Sequence, residues 1–94
     1  MRSGAPPDLN QPEIVEALRL AGASVKIITH VGEGTPDLLV GFRRRTFLLE
    51  VKSEDGELRE SQVKWHRDWK GLPVDVVRTP REALAAIGAI RRAG

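Results

Sequence analysis

Residues 36–52 read PDLLVGFRRRTFLLEVK, and this stretch decides the fold. Two apolar, β-prone runs, 37–42 and 45–52, are separated only by Arg43 and Arg44. Such runs around so short a polar joint predict an antiparallel hairpin. With the turn centred on Arg43–Arg44, Phe42 faces Arg45 and, counting outwards, Asp37 faces Glu50. Alternate side chains of a strand share a face. Leu48, Glu50 and Lys52 therefore lie on one face, and Phe47, Leu49 and Val51 on the other. Apolar residues occupy both faces of TFLLEV, which predicts a central strand and not an edge.

Directly opposed residues of a hairpin have Cβ atoms roughly 4.5–5.5 Å apart. Two carboxylates at that separation repel each other unless something neutralises them. A divalent cation does this well: Mg²⁺ takes oxygen ligands, often one or two carboxylates with several waters. Lys52 adds a positive charge beside the same spot. The residues also have plainer uses. Asp after Pro at a loop–strand junction commonly caps a turn, and Glu50 with Lys52 can form an exposed charge pair on a solvated sheet face. The central position of the strand favours the functional reading, because charges set at one end of such a strand are more often functional than decorative.

Outward from the hairpin the organisation is simple. Residues 1–9, with Gly4, Pro6 and Pro7, read as a loose arm, and residues 10–94 as a single domain. Asn10 is a candidate N-cap for a helix over 11–21 that ends at Gly22, with Ile14, Ala17, Leu18 and Ala21 along one face. A short strand is expected over 24–29, and 30–36 (HVGEGTP) is a glycine-rich loop. Beyond the hairpin, 53–59 is a polar, acidic loop. A helix over 60–70 follows, stopped by Gly71 and Pro73, and then a strand over 74–78. Thr79 caps a last helix, with Pro80 at its first position and Glu82 completing a capping box. That helix carries Ala83, Leu84, Ile87 and Ile90. The expected order is α-β-β-β-α-β-α, an α/β fold with a central mixed sheet flanked by helices.

Composition narrows the function. Ninety-four residues suit one domain, and 40% hydrophobic with 30% charged residues argues against long disorder. No apolar run approaches the roughly 20 residues of a membrane span. MRSGAPPDLN lacks the apolar stretch of a signal peptide, so a cytoplasmic location is expected. With no cysteine, disulfides, zinc thiolates and thiol nucleophiles are excluded. The net charge of +2 leans weakly towards a polyanionic partner. Basic residues gather at Arg43, Arg44 and Arg45, at Lys64, Arg67 and Lys70, and at Arg91 and Arg92, each group taken singly reading first as a solvated face. Trp65 and Trp69, at i and i+4, predict core packing or a dimer seam in preference to base stacking. His30 reads as a solvated loop residue and His66 as helix surface.

GTPDLLVGF followed by TFLLEVK resembles the PD-(D/E)XK nuclease signature: Pro36–Asp37, twelve intervening residues, then Glu50–Val51–Lys52. The likeness is to the VRR-Nuc branch, small domains of phage and bacterial proteins and of eukaryotic DNA-repair nucleases. It runs from the first helix through Gln62 to the last helix. Its specificity lies in the combination of G-x-P-D after a glycine-rich loop, ExK on the next strand, and a helix with an early glutamine. The resemblance implies a restriction-endonuclease-like core and a Mg²⁺- or Mn²⁺-dependent endonuclease acting on DNA. Asp37 and Glu50 would hold the metal, with the backbone carbonyl of Val51 as a third ligand. The metal would lower the pKa of a bound water and steady the charge on the phosphate. Lys52 would orient that water or stabilise the transition state, and Gln62 would contact the water or the phosphate.

One position departs from the family. Gln11 stands where a metal-supporting glutamate of the first helix is expected, so either nearby Glu13 takes that role or the site runs with less charge. Glu13 is the better candidate, and Glu16 reads as a surface acid. Stand-alone members of the family tend to be homodimers acting on branched DNA, four-way (Holliday) junctions in particular, where a symmetric dimer offers two sites for paired cuts. Arg43, Arg44 and Arg45 are then candidate phosphate contacts. Gln11 keeps open an inactive DNA-binding or assembly module of the same fold. The intact Asp37, Glu50 and Lys52 argue against that module, and a small α/β protein with no nucleic-acid role, its acids merely surface charge, is the third class.

Overall fold

The computed structural model describes residues 9–91; residues 1–8 of the expected arm, and Arg92, lie outside them. The elements are α1 (Gln11–Leu20), β1 (Ser24–Ile27), a 3-10 turn (Thr29–Val31), β2 (Leu38–Phe42), β3 (Arg45–Val51), α2 (Glu60–Asp68), β4 (Asp75–Val77) and α3 (Pro80–Ala86). The order α-β-β-β-α-β-α is the expected one, and the sheet is mixed. Its strands run β1-β2-β3-β4, antiparallel except for the parallel β3–β4 pair. The hairpin has the register read from its turn: Phe42 pairs with Arg45 and Leu38 with Leu49. β3 lies between β2 and β4 and is central, as its two apolar faces predict.

One face of the sheet makes the core. Leu38 and Val40 from β2, Leu49 and Val51 from β3, and Val77 from β4 pack with Ile14, Val15 and Leu18 of α1 and with Ala83 and Ile87 of α3. Burying each large aliphatic side chain contributes about 1.5–3 kcal/mol. Glu50 alternates with Leu49 and Val51, so it points to the opposite face. There α2 lies, and the residue that α2 buries is Gln62. Two helices thus cover an apolar face, and one helix covers a polar face.

Several element ends differ from expectation, each for a local reason. Ala21 and Ile87 are cap residues beyond their helices. At the end of α1, the Gly22 N–H donates to the carbonyl of Arg19 (3.0 Å) and Ala23 N–H to that of Leu18 (3.0 Å), with Gly22 at φ +97°. This is the left-handed helix stop that glycine permits. It leaves Ala21 exposed and turns the chain into β1. α2 ends at Asp68 because Trp69 is already extended, two residues before Gly71.

Asn10 does not cap α1 with its side chain. Its Nδ2 donates to the backbone carbonyls of Lys52 (3.0 Å) and Arg78 (2.7 Å), tying the start of α1 to the ends of β3 and β4. Its own backbone is helical, φ −81° and ψ −8°, whereas a side-chain cap sits in extended geometry. Thr79 does cap α3, accepting from Glu82 N–H at 3.0 Å. Glu82 reaches one residue further back than a capping box and accepts from Arg78 N–H at 2.7 Å.

The tryptophans are not core residues. Their rings stack with centroids 4.8 Å apart at 17°, and Trp69 is 43% exposed. The face of α2 that meets the sheet carries Gln62 and His66, which leaves the indoles at the margin of that contact. Among the described residues, no helix is long and apolar enough to cross a membrane.

Candidate active site

Among the described residues, the buried polar or charged side chains are Asp37, Glu50, Lys52 and Gln62. These are the four residues nominated as catalytic from the sequence. Glu50 is only 1% exposed. An ionised carboxylate in such a place is strongly unfavourable unless it is paired, hydrogen-bonded or protonated.

Asp37 stands just before β2 and ends the hairpin ladder with its side chain. Its carbonyl accepts from Ile28 N–H at 2.8 Å, and its own N–H donates to Leu49 O at 3.1 Å. Its Oδ2 accepts from the N–H of Val51 at 2.9 Å. A continued antiparallel ladder would offer Val51 N–H a backbone carbonyl there; the carboxylate takes its place. The paired register stops at Leu38–Leu49, one step short of the expected Asp37–Glu50 pair. Asp37 nevertheless stands near enough to Glu50 to raise that carboxyl's hold on its proton.

Glu50 is held from above by α2. Gln62 Nε2 donates to Oε2 at 3.1 Å, and His66 Nε2 lies 3.0 Å from Oε1. The other end of the Gln62 amide is also fixed, its Oε1 accepting from Arg59 N–H at 2.8 Å. Burial first, then the hydrogen bond and the charge of Asp37, push the Glu50 carboxyl from its usual 4.5 up to about 9; Lys52 and Arg59 pull weakly the other way. Burial and the neighbouring acid thus favour the protonated form of this carboxyl against the pull of the two cations. His66 is shifted downwards, by burial and then by the Lys52 charge. His66 is therefore not helix surface: its side chain is 14% exposed and reaches the most buried acid of the molecule. The i, i+4 spacing of Gln62 and His66 was visible in the sequence. What was hidden is that α2 turns this polar face inward.

Two further contacts position the site. The glycine-rich loop presses on the first turn of α2: a methyl group on Gly34 would run into the backbone carbonyl of Ser61, next to Gln62. Lys52 is 7% exposed and forms no ion pair among the described residues. Its backbone N–H donates to Val77 O at 3.1 Å, and its carbonyl is held by Asn10. Both fix the lysine at the end of β3, beside Glu50.

Other nominated residues stay apart. Gln11 Nε2 donates to Thr29 Oγ1 at 3.2 Å, and Glu13 is exposed on α1. Among the described residues, no group of three or more His, Cys, Asp or Glu is arranged to hold a metal, so Glu13 is not gathered with the two buried acids. His30 is exposed in the 3-10 turn. Arg43, Arg44 and Arg45 are exposed at the hairpin tip, at the far end of β3 from Glu50.

No family model and no curated protein matches the sequence. Among solved structures, a VRR_NUC domain matches with a TM-score of 0.67 and 28% identity, over 82% of this chain and 88% of that one. The overall fold is thus shared with a protein whose sequence is largely different.

Proposed function

We propose, with the assignment of this chain to the VRR-Nuc domains as premise, that it is a Mg²⁺- or Mn²⁺-dependent endodeoxyribonuclease. In this reading it hydrolyses phosphodiester bonds and selects branched or four-way junction DNA. The observation that carries the proposal is the pair of buried carboxyl groups Asp37 and Glu50 at one end of β3, with Lys52 and Gln62 buried beside them.

The donor set suits a hard divalent ion. Asp37 and Glu50 supply carboxylate oxygens, and Mg²⁺ commonly takes one or two such groups and fills its shell with water. Val51 sends its N–H towards Asp37; the carbonyl of a strand residue points to the same side as its N–H, so Val51 O is the third ligand in this proposal. When bound, the ion supplies an acidified water and a counter-charge for the phosphate. The residues of the chain do the rest. Asp37, fastened by the Val51 N–H, keeps its other oxygen for the ion. Lys52, with no partner acid, offers its ammonium to the phosphate oxygen on which charge develops. Gln62 acts through Glu50, whose Oε2 it holds, in addition to any contact with water or phosphate.

Arg43, Arg44 and Arg45 bind phosphates away from the cut in this reading. The active form is a homodimer, for which the stacked Trp65–Trp69 pair beside exposed Leu72 is an available apolar surface. The alternative is an inactive DNA-binding module of the same fold. The test incubates the protein with labelled junction, flap and duplex DNA in Mg²⁺, in Mn²⁺ and in EDTA, beside the Asp37→Ala variant. Metal-dependent cutting that disappears in the variant is the expected result. Binding without cutting selects the inactive module, and neither binding nor cutting overturns both.

A further inference from the structure

Glu50 has two oxygens, and α2 engages both. Gln62 Nε2–H meets Oε2 at 3.1 Å, and one helical turn later His66 Nε2 meets Oε1 at 3.0 Å. The residue that the sequence placed on the helix surface thus sits 14% exposed against a side chain that is 1% exposed. Meanwhile α1 brings Gln11 to Thr29 and not to the acids. Support for the buried acid comes from the opposite side of the sheet.

We infer that His66 is a positioning residue, which with Gln62 fixes the plane of the Glu50 carboxylate and so sets the affinity of the site for its divalent cation. The inference rests on the metal-dependent reading above. In the ionised form that would face a cation, as opposed to the protonated form favoured without one, the Glu50 carboxylate only accepts hydrogen bonds, about two at each oxygen. The tautomer that serves it carries its proton on Nε2. With one donor on each oxygen, rotation about the Cγ–Cδ bond is stopped, and the remaining lone pair of each oxygen keeps a single direction. With one donor removed, the carboxylate is free to swing, and its lone pairs no longer converge with those of Asp37. Donors that orient a ligating carboxylate in this way are worth roughly 10- to 100-fold in metal affinity.

The discriminating variants are His66→Leu, which keeps the bulk and loses the donor, and His66→Gln, whose amide nitrogen lies as many bonds from Cα as Nε2 does. Mn²⁺ binding is measured by titration calorimetry on the full chain at one pH and salt concentration, with melting in EDTA as the measure of folding. The leucine variant is expected to bind Mn²⁺ about 10- to 100-fold more weakly and the glutamine variant within about threefold of the unaltered protein. Both should melt near the unaltered protein in EDTA. Should the leucine variant lose its folded baseline, His66→Asn, whose amide stops one bond short, replaces it under the same criteria. Unaltered Mn²⁺ affinity in the leucine variant overturns the role of His66 alone. Equal losses in the leucine and glutamine variants overturn it too, since bulk and ring shape would then be what matters. An unaltered protein that binds no Mn²⁺ overturns this inference together with the metal-dependent reading.

Discussion

The two ends of the β2–β3 hairpin lie about 20 Å apart along the strand and depart from ideal structure in opposite ways. At the tip, Arg43 and Arg44 adopt φ of +51° and +66°, left-handed values that favour Asn and Gly in a two-residue turn. Their charges are exposed, and the Arg43 guanidinium lies 4.8 Å over the Phe42 ring. At the base Asp37, Glu50 and Lys52 have no left-handed φ, but they are buried. The tip bears its cost in backbone conformation and the base in desolvated charge. Both ends sacrifice stability, so each is expected to become more stable when its unusual residues are replaced. Only the base should then lose chemistry.

Glu50→Gln tests the base and carries the largest expected effect. Cleavage should fall on the order of 100- to 1000-fold, as when one preorganised charge-stabilising group is removed from an active site. Stability of the metal-free protein should move the other way, through proton linkage. The Glu50 carboxyl titrates near its ordinary 4.5 when unfolded and near 9 when folded. Below about 4.5 both states hold the proton and the stability due to the neutral buried acid is fully present. As the pH rises towards 9 the unfolded chain gives up its proton while the folded one retains it, so stability falls across that window and levels off above it. The melting temperature in EDTA should therefore drop between pH 5 and pH 9 in the unaltered protein and stay flatter in Glu50→Gln. Mn²⁺ should reverse the drop. A variant that melts lower than the unaltered protein at pH 8 in EDTA would break the comparison, since Glu50 would then be a stabilising residue.

Gly34→Ala sharpens the same end from a distance. Gly34 has φ +85°, and a methyl group there meets the Ser61 carbonyl. Backbone strain and overpacking together should cost about 2–3 kcal/mol, read as a lowered urea midpoint. The displaced first turn of α2 carries Gln62, so metal affinity should fall as well. Lost stability with unchanged Mn²⁺ affinity would separate the loop from the site.

How much of this was legible in the sequence follows from how local each cause is. The hairpin register was legible because the turn length and the alternation of TFLLEV are both local, and they agree. The alternation gave the face on which Glu50 lies, whereas its burial depends on α2 covering that face. Gln62 stood out through the resemblance of the ExK-to-Gln spacing to a known family, whereas its grip on Glu50 required α2 to be placed over the polar face of the sheet. His66 needed the same placement and had no motif to mark it. Asn10 looked like a cap because caps are local, yet its partners lie 42 and 68 residues away. Of the two uses expected for the tryptophans, core packing failed for the converse reason. Large apolar side chains are usually buried, but here the inward face of α2 was already committed to Glu50.

The tip gives the smallest expected effect and the clearest contrast with the base. In Arg43→Asn/Arg44→Gly the turn receives the residues its geometry favours, and relief of two left-handed arginines should stabilise by about 1–2 kcal/mol. In a chain of this length that raises the melting temperature by roughly 5–10 °C. If the arginines hold phosphates as proposed, DNA binding weakens, and the slope of log affinity against log salt becomes shallower by roughly 0.9 for each phosphate no longer neutralised. The cleavage rate on saturating DNA should stay as it was, because no atom of the tip reaches the acids. A stabilised variant with an unchanged salt slope would show that the strained turn serves something other than phosphate binding. A variant that loses its cleavage rate at saturation would join the tip to the chemistry and end the division between the two ends.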